Sequence, residues 1–114
     1  DSRIDITVEG ESLLLSSRQT MALALVMNEL VSNCLRHAFI DREMGAVTIR
    51  LDDCPSEVVV TVQDNGVGLP EEFDLHTSSG MGLQIVRALV EGDLRGKFDL
   101  TSEEGVRATV RFAK

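Results

Sequence analysis

The chain opens with RIDITVEGE, in which Ile4, Ile6 and Val8 alternate with polar residues, the period of a half-buried strand. A short extended stretch, SLLLS, leads into a different spacing. From about Ser17 to Phe39 the apolar positions recur at helical intervals, with Leu23, Met27, Leu30, Val31, Cys34 and Ala38 on one arc. Near its start this helix reads MALALVM, apolar all round, which predicts burial on every side. Period two then returns: GAVTIRLDD aligns Val47, Ile49 and Leu51, and EVVVTVQD aligns Val58, Val60 and Val62, with the turn DDCPSE between them. Leu69 to Ser79 has no period and contains Pro70, so it is expected to be a loop or lid. Gly80 to Glu91 predicts a second helix with Leu83, Val86, Leu89 and Val90 inward and Gly92 as its stop. KFDLTSEEGVRATVRF closes the chain as a hairpin, with Val106, Ala108, Val110 and Phe112 alternating inward.

Strands in neighbouring hairpins, combined with two helices, predict an α+β fold: a two-layer α/β sandwich, its mixed sheet mostly antiparallel, with helices on one face. The 114 residues make one domain, 1–114, and 43% hydrophobic residues suffice for a core built from aliphatic side chains. The chain begins inside a strand and without Met, so a fragment of a longer protein is expected. A net charge of −8 argues against nucleic acid and against direct membrane contact, since both call for basic patches. Cys34 and Cys54 show no metal-ligand spacing, and no apolar run approaches 18 residues. A reduced, cytoplasmic domain is expected, whatever anchors its parent.

Candidate chemistry sits on the polar arc of the long helix. Glu29, Asn33, Arg36 and His37 fall together there, at i, i+4, i+7 and i+8. A solvated face with an acid–base pair is the plain alternative. Against it stands Asn33, a poor helix former in mid-helix, whose amide oxygen suits a hard cation such as Mg²⁺. Arg36 and His37 would reach phosphate oxygens.

In TVQDNGVGLP, Asp64 shares the face of the three valines and so points at the core. A carboxylate there requires a donor, and an adenine amine is one; guanine offers a carbonyl instead. Gly66 and Gly68 would let the backbone pass close to a flat base. A plain Asp-Asn-Gly hairpin turn is the alternative, but VGLPEEFD does not alternate as a returning strand. In SSGMGLQIV, Gly80 and Gly82 would present main-chain N–H groups at a helix N-terminus, a phosphate site without lysine.

A Glu/Asn helix, then Asp-x-Gly-x-Gly, then Gly-x-Gly-Leu resembles the GHKL ATPases: DNA gyrase, MutL, the large heat-shock chaperones and histidine kinases. NELVSNCLRHAF is similar to the helix of sensor kinases of the second dimerisation-and-phosphoacceptor type. The resemblance implies the Bergerat fold, with ATP and Mg²⁺ as cofactors. It implies Asn33 as metal ligand, Glu29 as the acid polarising the reacting group, and Arg36 and His37 as phosphate or ribose contacts. Asp64 becomes the adenine acceptor, and Gly66, Gly68, Gly80, Gly82 and Leu83 the nucleotide loops. Val106 stands where many relatives have Thr, and Arg36 where Lys is commoner. The implied activity is transfer of the γ-phosphate to a histidine on a separate phosphoacceptor domain of the same parent, with a response regulator downstream. His37 faces the phosphate site and His76 lies in the lid, so neither is expected to be the acceptor. The competing expectations are an anti-sigma-factor-type serine kinase and a non-catalytic domain of the same fold.

Overall fold

The computed structural model describes residues 3–39, 42–69, 81–102 and 104–114. Strand β1 (Arg3–Gly10) is followed by helix α1 (Ser17–Asn33), which runs on into a π-helical turn at Cys34–Ala38. Then come β2 (Met44–Asp53), β3 (Glu57–Asp64), α2 (Met81–Glu91), β4 (Lys97–Ser102) and β5 (Val106–Ala113). The five strands form one sheet in the order β1-β2-β3-β5-β4. β1 lies parallel to β2, because α1 crosses between them, and the other three pairings are antiparallel. The expected two-layer sandwich is therefore present.

Alternation dictates the layers. Val58, Val60 and Val62 of β3 and Ala108, Val110 and Phe112 of β5 are buried against the helices. The register sets Val62 opposite Ala108, and Val60 opposite Val110. Val26 and Leu30 of α1 and Val86 and Val90 of α2 complete the same core. Burying a valine or leucine side chain contributes about 1.5–3 kcal/mol, so this aliphatic layer holds the sandwich together without Trp or Tyr.

Ser16 starts α1 with a reciprocal cap: its Oγ accepts from Gln19 N, and its own N donates to Gln19 Oε1, both at 3.1 Å. The helices run antiparallel. Arg18 at the start of α1 meets Asp93 just past α2 at 3.2 Å, while Gly82 at the start of α2 lies against Glu29 and Asn33.

One expectation fails. The apolar-all-round segment of α1 is not buried on every side, because Met21, Ala24 and Leu25 are exposed. Two helices cover five strands in a single layer, so the side of α1 away from the sheet has no described neighbour above it. Ile6 and Val8, on the core-facing side of edge strand β1, are exposed for the same reason of coverage.

Candidate nucleotide-binding site

Asp64 ends β3 as the alternation requires, pointing inward and only 3% exposed. It is the buried charged residue among those described. A lone carboxylate in that position would be costly. Two main-chain donors offset the cost: Gly66 N at 2.9 Å and Val106 N at 3.1 Å, both on Oδ1. Oδ2 has no main-chain donor among the described residues.

Position 106 reaches Asp64 through its backbone, a contact that does not depend on its side chain. No side-chain pattern reveals such a contact, and it needs the β3–β5 pairing to exist first.

Cys34 lies beneath the same carboxylate. Burial, and then the charge of Asp64 and a hydrogen bond to it, push the Cys34 thiol up to about 12. The thiol thus stays protonated and donates towards Asp64. Its pKa when folded lies above its ordinary value of 9.0, so the native chain holds that proton longer than the unfolded one. The associated stability is complete below about pH 9 and drains away as pH rises towards 12, at up to about 1.4 kcal/mol per pH unit. Denaturant titrations between pH 8 and 10.5 should show this alkaline slope in the wild type and a flatter one in Cys34→Ala.

Packing against the helix by itself requires a glycine at position 66. A Cβ there would collide with the carbonyl oxygen of Ala38 and lie 2.5 Å from its methyl group, while Val67 N donates to that same carbonyl at 2.9 Å. The loop after Asp64 is therefore pinned to the π-helical turn. Backbone atoms cannot step aside cheaply, so Gly66→Ala should cost about 1–3 kcal/mol. Thermal melting should read this as a drop of roughly 5–15 °C. Asn65 fixes the other side, accepting from Ala46 N at 2.8 Å, while Arg42 donates to its carbonyl at 2.8 Å. Further along, Leu69 N donates to Ser102 Oγ at 3.0 Å, just after Gly68.

The second cluster lies one to two turns back along α1. Arg36 Nη2 donates to Asn33 Oδ1 at 3.0 Å and stands 3.7 Å from Glu29 Oε2, beyond hydrogen-bonding reach. That carboxylate oxygen is buried and has no hydrogen-bond partner among the described residues. A Cβ on Gly82 would fall 2.5 Å from Glu29 Oε2 and 3.9 Å from Asn33 Oδ1. The N-terminal turn of α2 thus abuts both oxygens. Glu29, Asn33, Arg36 and Gly82 are brought together as expected; His37 is exposed and stands outside this bonded cluster. Leu83 is half-buried on α2, and Gly80, with most of the anticipated lid, lies outside the described residues.

The two clusters share one backbone. From Glu29 to Ala38 the chain advances roughly 13 Å at 1.5 Å per residue. Gly66 abuts Ala38 at one end, Asp64 meets Cys34 midway, and Gly82 meets Glu29 at the other end. π-Helical turns recur at functional sites, and here the turn forms the stretch between the clusters. A trough of about 600 Å³ lies on the helix-free face of the sheet, among Thr48, Thr61, Thr109 and three arginines, with Asp64 and Asn65 also in its lining. Those arginines already have partners: Arg50 with Glu9 and Asp52, Arg107 with Gln63, Arg111 with Glu57. It is a self-satisfied polar surface.

Residues 18–114 match the family model described as histidine kinase-, DNA gyrase B- and HSP90-like ATPase. The chain belongs to this family. It is 39% identical over 97% of its length to the sensor histidine kinase PdtaS of Mycobacterium tuberculosis, and spans 23% of that kinase. The histidine kinase domain of the Erythrobacter litoralis EL346 blue-light-activated kinase superposes with a TM-score of 0.87, at 30% identity. That superposition covers 96% of this chain and 51% of the other. An anti-sigma F factor of Clostridium botulinum is 28% identical over 75% of the chain, and 64% of that factor is covered. Membership of an ATPase family implies nucleotide binding. No described helix of this ATPase-family domain is long and apolar enough to cross a membrane.

Proposed function

We propose that residues 1–114 form the catalytic ATP-binding domain of a sensor histidine kinase, cytoplasmic, presenting the γ-phosphate of ATP to a histidine on a separate phosphoacceptor domain. A response regulator would receive it next. One observation carries the reading: a buried carboxylate with one oxygen held by two main-chain donors, and a second buried carboxylate oxygen with no hydrogen bond among the described residues, lie along one helical segment.

Asp64 Oδ2 accepts from the adenine amine, while Gly66 and Val106 hold the carboxylate in place from Oδ1. The charge-assisted bond contributes roughly 1.5–3 kcal/mol. Arg36 and His37, at the other end, would neutralise phosphate charge, and the N-terminal turn of α2 offers main-chain donors at Gly82 and Leu83. Mg²⁺ suits this end once Arg36 gives up its 3.0 Å hydrogen bond to Asn33 Oδ1: that amide oxygen and Glu29 Oε2 both face Gly82, and no trio of His, Cys, Asp or Glu forms a protein-only metal centre among the described residues. A sparse protein ligand set is the habit of Mg²⁺ shared with phosphates and water. Asn33 would hold the ion, which when bound neutralises charge on the phosphates. Glu29, whose Oε2 has no hydrogen bond among the described residues and Arg36 at 3.7 Å, polarises or deprotonates the attacking imidazole. Positioning and charge neutralisation supply the rest.

Calorimetry with Mg²⁺ and a non-hydrolysable ATP analogue is the test; binding at micromolar concentration is expected, and none up to millimolar refutes the reading. Incubated alone with γ-labelled ATP, the chain should bind nucleotide yet gain no stoichiometric acid-labile label. The likeness to an anti-sigma F factor supports a second reading, a serine kinase acting on a partner protein. Acid-stable label on a partner would favour it; acid-labile label favours the sensor kinase.

A further inference from the structure

The turn between β4 and β5 touches the loop after Asp64 at two points, one at each end of that loop. At the start, Val106 N donates to Asp64 Oδ1 at 3.1 Å, and a Cβ on Gly105 would lie 2.8 Å from the same oxygen. At the far end, Leu69 N donates to Ser102 Oγ at 3.0 Å, and a Cβ on Gly68 would lie 2.7 Å from that Oγ. The sheet couples the two contacts, because Ser102 and Val106 are register partners that close the hairpin.

Gly68 needs such a clamp. Its φ is +81°, a left-handed value that glycine adopts freely and leaves as freely. With a second glycine at position 66, the chain on either side of Val67 has no side chain to restrict it. The N–H groups of Asn65, Gly66 and Val67 are held by Ala46 O, Asp64 Oδ1 and Ala38 O. These partners come from β2, β3 and the π-helical turn, and all of them act before Gly68. Beyond it, among the described residues, the main-chain N–H is held by Ser102 Oγ.

A serine suits the place. Its short side chain puts an accepting oxygen beside the main chain, in the space that glycine leaves open at position 68. Glu104, in the same turn, has a φ of 51°, which a non-glycine residue keeps only where its surroundings fix it. The turn is a formed brace and not a slack connection.

The geometry points to Ser102 as a positioning residue for nucleotide binding: its Oγ fixes the left-handed turn at Gly68 before the nucleotide arrives. Ser102 acts through Leu69 and Gly68, and the gain is preorganisation, since a loop already in its bound shape loses less freedom on binding. This role presupposes the nucleotide-binding reading above and adds to it a residue from the far end of the chain.

Amide hydrogen exchange, thermal melting and calorimetry with the Mg²⁺–ATP analogue test it on the 114-residue chain. In Ser102→Ala without nucleotide, the Leu69 amide should exchange at least about tenfold faster. Analogue affinity should fall about three- to tenfold, the range for one neutral hydrogen bond. The melting temperature should stay within about 3 °C of wild type, because Ser102 is exposed at the end of edge strand β4. Ser102→Thr keeps the oxygen and should hold both exchange and affinity within about twofold of wild type. Ser102→Val has the shape of threonine without the hydroxyl and should behave like Ser102→Ala. Equal affinities in the threonine and valine variants would overturn the positioning role and leave the nucleotide reading intact. Wild-type affinity in Ser102→Ala, with a faster Leu69 amide, would do the same. No analogue binding by the wild type would overturn both.

Discussion

Asp64→Asn should weaken binding of the Mg²⁺–ATP analogue by at least 30-fold while the chain stays folded. The substitution is nearly isosteric, and the amide oxygen can still accept from Gly66 N and Val106 N. What changes is the group at Oδ2: an acceptor becomes a donor, facing the donating amine of adenine. Losing a charge-assisted bond of about 1.5–3 kcal/mol and adding a donor–donor clash corresponds to at least about 2 kcal/mol. Guanine presents a carbonyl at that edge, so the variant should also lose most of its preference for ATP over GTP. Calorimetry with both nucleotides, alongside a thermal melt, separates these effects. Unchanged ATP affinity in a folded variant would remove Asp64 from the base pocket.

Asp64 was legible because period two is a strict rule: three valines inward compel the fourth position inward as well. The same rule located the inward face of β5, where Ala108, Val110 and Phe112 are buried. Helical periodicity was weaker guidance. It placed Glu29, Asn33 and Arg36 together, but the switch to a π-helical turn at Cys34 leaves no mark in apolar spacing, and His37 fell outside the cluster. At MALALVM the apolar pattern was read as burial, whereas burial requires a neighbour and two helices provide too few. Gly66 meets a demand that the loop alone does not reveal: its missing Cβ makes room for Ala38, from a different element. Contacts created by tertiary pairing, such as Val106 N on Asp64, are illegible until the sheet order is known.

Glu29 offers the second large effect. Glu29→Gln keeps the shape of the side chain and removes the charge and the proton-accepting oxygen. The ion pair with Arg36 is partly exposed and spans 3.7 Å, so its loss should cost about 1 kcal/mol of stability or less. Phosphotransfer to histidine should fall about 100-fold or more, the usual range for a positioned acid or base, with analogue affinity within threefold. Gly82→Ala probes the same oxygen from the opposite wall. Its new methyl group would arrive 2.5 Å from Glu29 Oε2, the far end of a flexible side chain that can swing away. The helix itself gains from Ala over Gly, by up to about 1 kcal/mol, so folding should survive. Gly82→Ala should therefore reproduce the Glu29→Gln phenotype, with slow transfer and near-normal binding, and combining the two should add little further loss. Fully additive losses in the double variant would mean that Gly82 acts through the phosphate-facing backbone and not through Glu29.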